Sequence, residues 1–243
     1  EHCSSFKRLD YVSTCYVSGE REGTVLEREL DEGQSFKIHY ESTKCWAEME
    51  VRRRMHRLPV CIHRPGIVVG DSKTGETDKY DGPYFMIKLL MRLPKWIPMV
   101  NVGVGSSRVN LVPVDFLVDG MAAVWDKSDS IGETVQWADP NPHQAREIIG
   151  TLLEILGRPG AYGTVPSNAV TAALGVQKLR QLVQLPQEAV IYFNHEVLYD
   201  TAVQQRLLED TEISCPDLLT YLPTLVRYVE DHPEKDFLDG RTF

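Results

Sequence analysis

No run of this chain approaches the ~20 consecutive apolar residues that a membrane-spanning helix requires, so no transmembrane segment is expected among its 243 residues. Basic residues are outnumbered, 26 to 35, for a net charge of −9. That argues against the basic stripe by which nucleic-acid partners are usually held. The one dense basic run, Arg52-Arg53-Arg54 with His56 and Arg57, falls near a predicted helix end, where cations suit the macrodipole. Cysteine is sparse. Cys3, Cys15, Cys45, Cys61 and Cys215 form no CxxC pair and no zinc-like spacing with histidine, so they read as thiols of a reducing cytosol, and no metal site is expected. "GDSKTGE" lacks the GK[ST] ending of a phosphate-binding loop. The chain opens "EHCSSF" without a methionine; this reads as a cut end, so upstream targeting is not legible.

What remains is the composition of a globular protein, long enough for one large core or two smaller ones. "RLDYVSTCYVSG" predicts a strand over Leu9–Ser13 and a turn closing on Gly19. A charged loop follows, "EREGTVLERELDEG", and then a helix from Tyr40 that closes near Leu58-Pro59. A second strand is expected at Val60–His63, halted by Arg64-Pro65-Gly66. Strand, helix and strand in that order make a crossover between parallel strands. Two such strands form no stable sheet by themselves, so a missing upstream segment of the polypeptide, or another chain, is expected to complete it.

Beyond Gly70 the pattern is less regular. A short helix is expected in "PYFMIKLLMRLP", a strand and then a helix over Val114–Asp126, and a strand in "ETVQWAD". A helix follows with Asn141 as cap, Pro142 at its first position and Gly157 or Gly160 as stop. Later helices are expected near Asn168–Leu185, Asp200–Leu208 and Pro216–Asp231, with a strand in "EAVIYF". The predicted class is α/β. The opening part, residues 1–70, is expected to be a piece of a parallel α/β sheet, and residues 71–243 to be more irregular and mostly helical.

The chemistry concentrates at "YESTKCWAEMEVRRRM". Its helical stripe Tyr40, Lys44, Ala47, Val51 and Met55 contains a lysine one turn after a tyrosine. Residues four apart on a helix are neighbours. An ammonium there favours the phenolate and draws the phenol below its ordinary ~10, which makes it a usable general acid near neutral pH. Ser13 and Thr14, at the end of the preceding strand, could hold a substrate oxygen beside that phenol. Ligands of parallel sheets bind beyond the carboxyl ends of the strands. The Tyr-x-x-x-Lys spacing occurs a second time, at Tyr84 and Lys88, without a hydroxyl-ended strand ahead of it. There Tyr84 reads as packing and Lys88 as solvated. His63 reads as a hydrogen-bonded structural residue, and Trp46 and Trp125 as core or interface aromatics.

Taken together, "YVSTCYVSG", "YESTKCWAE", "HRPGIVVGDSKTGE" and "VNLVPVDFLVDGM" resemble corresponding strings of the extended short-chain dehydrogenases/reductases. The resemblance is greatest to the branch holding thioester reductases and fatty acyl reductases. It runs from about Leu9 to Ala123 and thins beyond. It implies the C-terminal portion of a Rossmann-type doubly wound parallel sheet, with residues 1–70 as the remaining part of the dinucleotide-binding domain and residues 71–243 as a smaller, mainly helical substrate-binding region interleaved with the last sheet strands. It implies Tyr40 as general acid/base, Lys44 as tuner of Tyr40 and holder of the cofactor ribose, and Thr14 as the hydroxyl binding the substrate carbonyl, with Ser13 beside it. Pro65, Gly66 and Val68 would border the nicotinamide, and Val112 and Pro113 would wall the substrate. The family's glycine-rich turn between its first strand and helix is not found; "GVGSS" at Gly103–Ser107 lacks the strand-turn-helix setting.

The leading expectation is a cytoplasmic NAD(P)H-dependent reductase of a carbonyl or acyl-thioester substrate, free or bound to a carrier protein. The expected cofactor is NADP, with NAD as the alternative. Two competing readings stand beside it. One is a sugar-nucleotide epimerase or dehydratase, with Arg146, Arg180 and Arg206 available for phosphates. The other is a non-catalytic module lacking the cofactor half.

Overall fold

In the computed structural model the chain is described over residues 5–102, 107–165 and 196–235. Its elements in chain order are β1 (Leu9–Val12), β2 (Gly23–Val25), α1 (His39–Arg52), β3 (Val60–Pro65), β4 (Ile67–Val69), α2 (Pro83–Arg92), β5 (Asn101–Val102), β6 (Leu111–Pro113), α3 (Val114–Trp125), β7 (Thr134–Trp137), α4 (Ala145–Ile155), β8 (Thr164–Val165), β9 (Val197–Tyr199), α5 (Ala202–Leu208) and α6 (Leu218–Asp231). The expected helix at 168–185 and strand in "EAVIYF" lie outside the described residues. The chain forms two compact units. One takes Glu1–Val68, Asn110–Asn141 and Val197–Cys215; the other takes Val69–Val109, Pro142–Glu196 and Pro216–Phe243.

The first unit is a Rossmann-type α/β layer structure. β1, β3 and β7 form a parallel sheet in that order. β3 lies in the middle and is buried along its whole length, which is why its sequence shows no polar alternation. Side chains alternate across the strand. Cys61 and His63 of β3 share a face with Val135 and Trp137 of β7, and α3 covers that face with Phe116 and Val124. Arg64 of β3 points to the opposite face, where α1 meets it through Glu48. β2 pairs in parallel with β9. Neither the periodicity nor the composition of "EREGTVLERELDEG" predicted β2, because its partner lies about 170 residues on.

The facing of α1 corrects the sequence reading. The predicted stripe is not the buried side: Tyr40 and Ala47 are exposed, and Lys44 and Val51 are half-buried. The buried side is Glu41, Cys45 and Glu48, flanked by Ser42. The helix also ends at Arg52 rather than near Leu58. Its basic end is ion-paired: Arg52 pairs with Glu48, and Arg53 and Arg54 both pair with Glu50. Trp46 and Trp125 are exposed rather than in the core, and the Arg8 guanidinium lies 5.6 Å from the Trp125 ring centroid.

In the second unit α6 packs against α2 and α4. It buries Leu218, Tyr221, Leu222, Leu225, Val226 and Val229, the three-and-four spacing of one helical side. α4 starts later than expected. Gln144 stands at its start in place of Asn141, with its N–H donating to the Glu147 carboxylate at 2.9 Å, and Gly157 at φ 59° follows its end. Tyr84 is packed as expected, with its hydroxyl accepting from the Gly70 N–H at 2.8 Å. Lys88 is not solvated. It is buried, its Nζ lies 4.5 Å from the Tyr80 ring centroid, and it donates to the Lys235 carbonyl. A cation over an aromatic face is held by the ring quadrupole.

Candidate active site

The carboxyl end of β1 is pinned at each residue of the turn that follows. The Lys44 ammonium donates to the Val12 carbonyl at 3.2 Å. The Ser13 N–H donates to the His63 carbonyl at 2.7 Å, and the Ser13 hydroxyl donates to Glu48 at 2.6 Å. The Thr14 hydroxyl donates to the Pro65 carbonyl at 3.4 Å and accepts from the Tyr16 N–H at 3.3 Å. The Cys15 thiol meets the Arg64 carbonyl at 3.0 Å. Thr14 also caps the short helical turn Cys15–Ser18, which Gly19 closes at φ 57°.

α1 presents the tyrosine and lysine to this strand end. Lys44 Nζ lies 6.0 Å from the centroid of the Tyr40 ring, so the spacing seen in the sequence becomes a spatial pair. Tyr40 is 49% exposed. Burial, with the nearby Glu48 carboxylate adding to it, holds the phenol of Tyr11 on β1 above its ordinary range.

The other expected site residues are placed as follows. Pro65 ends β3, buried, with its carbonyl toward Thr14. Gly66 donates to the Trp137 carbonyl at 2.9 Å; a Cβ there would lie 3.0 Å from the Asn110 carbonyl and side-chain oxygens, a close approach that glycine eases. Val68 is half-buried against the core beside Val112. Val112 is wholly buried, packed among Phe116, Val135 and Trp137. Pro113 is buried at the start of α3.

Sequence reasoning missed the charged cluster behind this site. Glu48 receives Arg64 Nε at 3.1 and 3.0 Å, Arg64 Nη2 at 2.6 Å and Arg52 Nε at 3.0 Å. Its signal was present: Glu48 follows Lys44 by four residues, on a helix otherwise read for apolar periodicity. Asn110 was also missed. Its amide donates to the Asp139 carbonyl at 3.2 Å and accepts from the Asp139 N–H at 2.9 Å, which ties β6 to the end of β7.

Asp10, Cys61 and His63 each place one potential metal-ligand atom within 4.8 Å of the others. Asp10 is occupied by Arg8, whose Nε and Nη2 donate at 2.5 and 2.7 Å. His63 Nε2 meets Asp10 at 2.7 Å, and His63 Nδ1 accepts from Trp137 Nε1 at 2.9 Å. Each group has partners without an ion, which is the structural role expected of His63.

The NAD-binding family model described as Male sterility protein matches residues 1–121. Fatty acyl-CoA reductase wat of Drosophila melanogaster is 31% identical over 96 residues, covering 39% of this chain and 19% of that protein. The non-canonical nonribosomal peptide synthetase hkm10 of Aspergillus hancockii is 25% identical over 213 residues, covering 79% of this chain and 20% of that protein. Among solved structures, the terminal R domain from the myxalamid PKS-NRPS biosynthetic pathway superposes with a TM-score of 0.76 at 24% identity, over 93% of this chain and 58% of that one.

The chain is an extended short-chain dehydrogenase/reductase. It falls on the thioester reductase branch of a family of NAD(P)-dependent oxidoreductases. The short-chain reductase fold extends to UDP-glucuronic acid 4-epimerase from Bacillus cereus in complex with NAD, with a TM-score of 0.63 at 19% identity over 95% of this chain. The chain spans about a fifth of the length of these curated relatives and 58% of the solved R domain. Among the described residues no helix is long and apolar enough to cross a membrane.

Proposed function

We propose that the complete protein reduces an acyl thioester, or another carbonyl compound, with a nicotinamide cofactor. The observation that carries this reading is the Tyr40–Lys44 pair on α1, with Lys44 tied to the strand end that leads into Thr14. The residues suit the nicotinamide-ribose end of such a cofactor. Lys44 spends a donor on Val12 and an ammonium has three, which leaves donors for ribose hydroxyls. Pro65, Gly66 and Val68 are the proposed border of the nicotinamide. When bound, the cofactor supplies the hydride.

In this reading Tyr40 gives its proton to the carbonyl oxygen as hydride reaches the carbon. Lys44 offsets the phenolate that results. Thr14 orients the same oxygen. Its 3.4 Å bond to Pro65 is long for a hydroxyl donor, so re-aiming it toward a substrate loses little. Pro113, with Val112 beneath it, is the proposed substrate wall. From a thioester the product is a hemithioacetal, which collapses to an aldehyde and a thiol. A second hydride and proton give the alcohol.

The thioester is proposed because the relatives include a nonribosomal peptide synthetase and a fatty acyl-CoA reductase. A carrier-protein-bound acyl group is the proposed form. NADPH is the proposed donor, and comparing kcat/KM for NADPH and NADH decides it. The cytoplasm is the proposed setting, in keeping with Cys15, Cys45 and Cys61 being buried outside any disulfide.

The test is Tyr40→Phe in the complete protein. General acid catalysis contributes roughly 10²–10⁴-fold, so kcat is expected to fall by about that factor while far-ultraviolet circular dichroism is unchanged. Retention of most of the rate rejects the mechanism. Turnover of UDP-sugars in place of acyl thioesters shifts the reading to epimerisation.

A further inference from the structure

We infer that Glu48, with Arg64 behind it, is a positioning residue for the reduction, acting through the Ser13 hydroxyl to set where Thr14 stands relative to Tyr40. The inference rests on the reductase reading above.

Three side chains make the connection, and all are buried: Ser13 3%, Glu48 0% and Arg64 0% exposed. The Ser13 hydroxyl donates to Glu48 Oε2 at 2.6 Å, short for a neutral donor and typical of one facing a carboxylate. Arg64 holds the same carboxylate through Nε and Nη2. The guanidinium is itself fixed by the Glu29 carbonyl at 2.8 Å and the Glu27 carbonyl at 3.4 Å. Glu48 therefore has a rigid backing.

The placement along α1 gives this a catalytic consequence. Tyr40, Lys44 and Glu48 are successive four-residue steps of one helix. Lys44 grips the Val12 carbonyl, and Glu48 grips the Ser13 hydroxyl. The helix that carries the proton donor thus holds the two residues immediately before Thr14. Sliding or rotation of β1 against α1 would have to break both contacts. A buried ion pair adds little net stability over apolar residues of similar volume, so its use here lies in fixing register. Misplacing a reacting group by about 1 Å can cost on the order of 10²-fold in rate.

Ser13→Ala tests this without disturbing the Glu48–Arg64 pair. In the complete protein it is expected to lower kcat at least about tenfold, with KM for NADPH within about twofold of the parent and the urea midpoint of unfolding little changed. The basic limb of the kcat–pH profile should also move, since Tyr40 then meets its substrate oxygen in a different geometry. Ser13→Thr, which retains a hydroxyl, should restore most of the rate. Glu48→Gln should reproduce the kcat loss in the fraction that folds. If Ser13→Ala fails to fold, Ser13→Cys, similar in size but a weak donor, carries the same expectation. A purely structural clamp would lower the unfolding midpoint and leave kcat per folded molecule and its pH profile in place; that result overturns the inference. Tyr40→Phe run alongside separates the two readings. If it is inactive while Ser13→Ala is fully active, only the positioning role falls. If it stays active, both fall.

Discussion

The indole N–H of Trp137 donates to Nδ1 of His63 at 2.9 Å. That bond fixes the tautomer: Nδ1 must accept, so the imidazole proton sits on Nε2 and is directed at Asp10, 2.7 Å away. A second proton could only be placed at Nδ1, against another N–H. Burial acts in the same sense and holds the His63 pKa below its ordinary value, outweighing Asp10. The folded state therefore binds fewer protons here than the unfolded chain, whose histidine titrates near 6.5. Stability from this site is present above that pH and is lost as pH falls toward the lower folded value. His63→Gln leaves Trp137 without its acceptor and should cost about 1–3 kcal/mol at pH 7.5. The cost should shrink at pH 5.5, where the wild type has begun to lose the same term. Urea unfolding of both proteins at the two pH values measures it.

Glu27 should show the opposite sign. Its buried carboxylate accepts from the backbone N–H groups of Gln136, Val203 and Gln204 at 2.9, 2.6 and 3.4 Å. Burial dominates over these bonds and pushes its pKa up to about 7. A carboxyl raised in the folded state stabilises most fully below its unfolded value of about 4.5, and that contribution fades as pH rises through 7. Glu27→Gln should therefore cost more at pH 5 than at pH 8. Equal costs at both, by the same urea titrations, would show that Glu27 does not titrate in this range.

These two groups also mark what the sequence could and could not reveal. Strand, helix and strand around Tyr40 were legible because turn residues and apolar runs are local signals. The Tyr40–Lys44 contact was legible because helical geometry converts a spacing of four into proximity. The side of α1 that packs was not. Periodicity arguments count apolar residues, and this helix buries Glu41 and Glu48, one of them satisfied by an arginine on another strand. Lys88 was misjudged for the same reason: the aromatic face and carbonyl that hold it come from Tyr80 and Lys235. β2 was missed because its ladder partner among the described residues, β9, lies far along the chain. Long-range partners decide polar burial, and a single sequence does not pair them.

Gly120 sits in the middle of α3, where glycine is ordinarily unfavourable by about 1 kcal/mol relative to alanine. The reason lies across the core: a Cβ at Gly120 would come within 2.3 Å of the Trp137 ring. Gly120→Ala should therefore destabilise by about 1–3 kcal/mol, as overpacking does, in place of the gain helix propensity would give. Pairing it with Trp137→Phe, which shortens the ring system, should yield a double variant less destabilised than the two losses combined. Thermal or urea unfolding of the four proteins supplies the coupling; strict additivity would mean the two positions do not meet.

The Glu48–Arg64 pair offers the sharpest separation of stability from function. Both side chains are fully buried, so removing one leaves an uncompensated charge in the interior. Glu48→Ala or Arg64→Ala should each cost about 3–5 kcal/mol. Replacing both together, as Glu48→Leu with Arg64→Met, removes both charges and should recover most of that loss. Ser13 would then have no carboxylate to hold. The double variant should be nearly as stable as the parent in urea yet deficient in kcat, because its core is intact while the strand end before Thr14 is no longer gripped. A double variant that is both stable and fully active would show that apolar contact alone keeps β1 in register with α1.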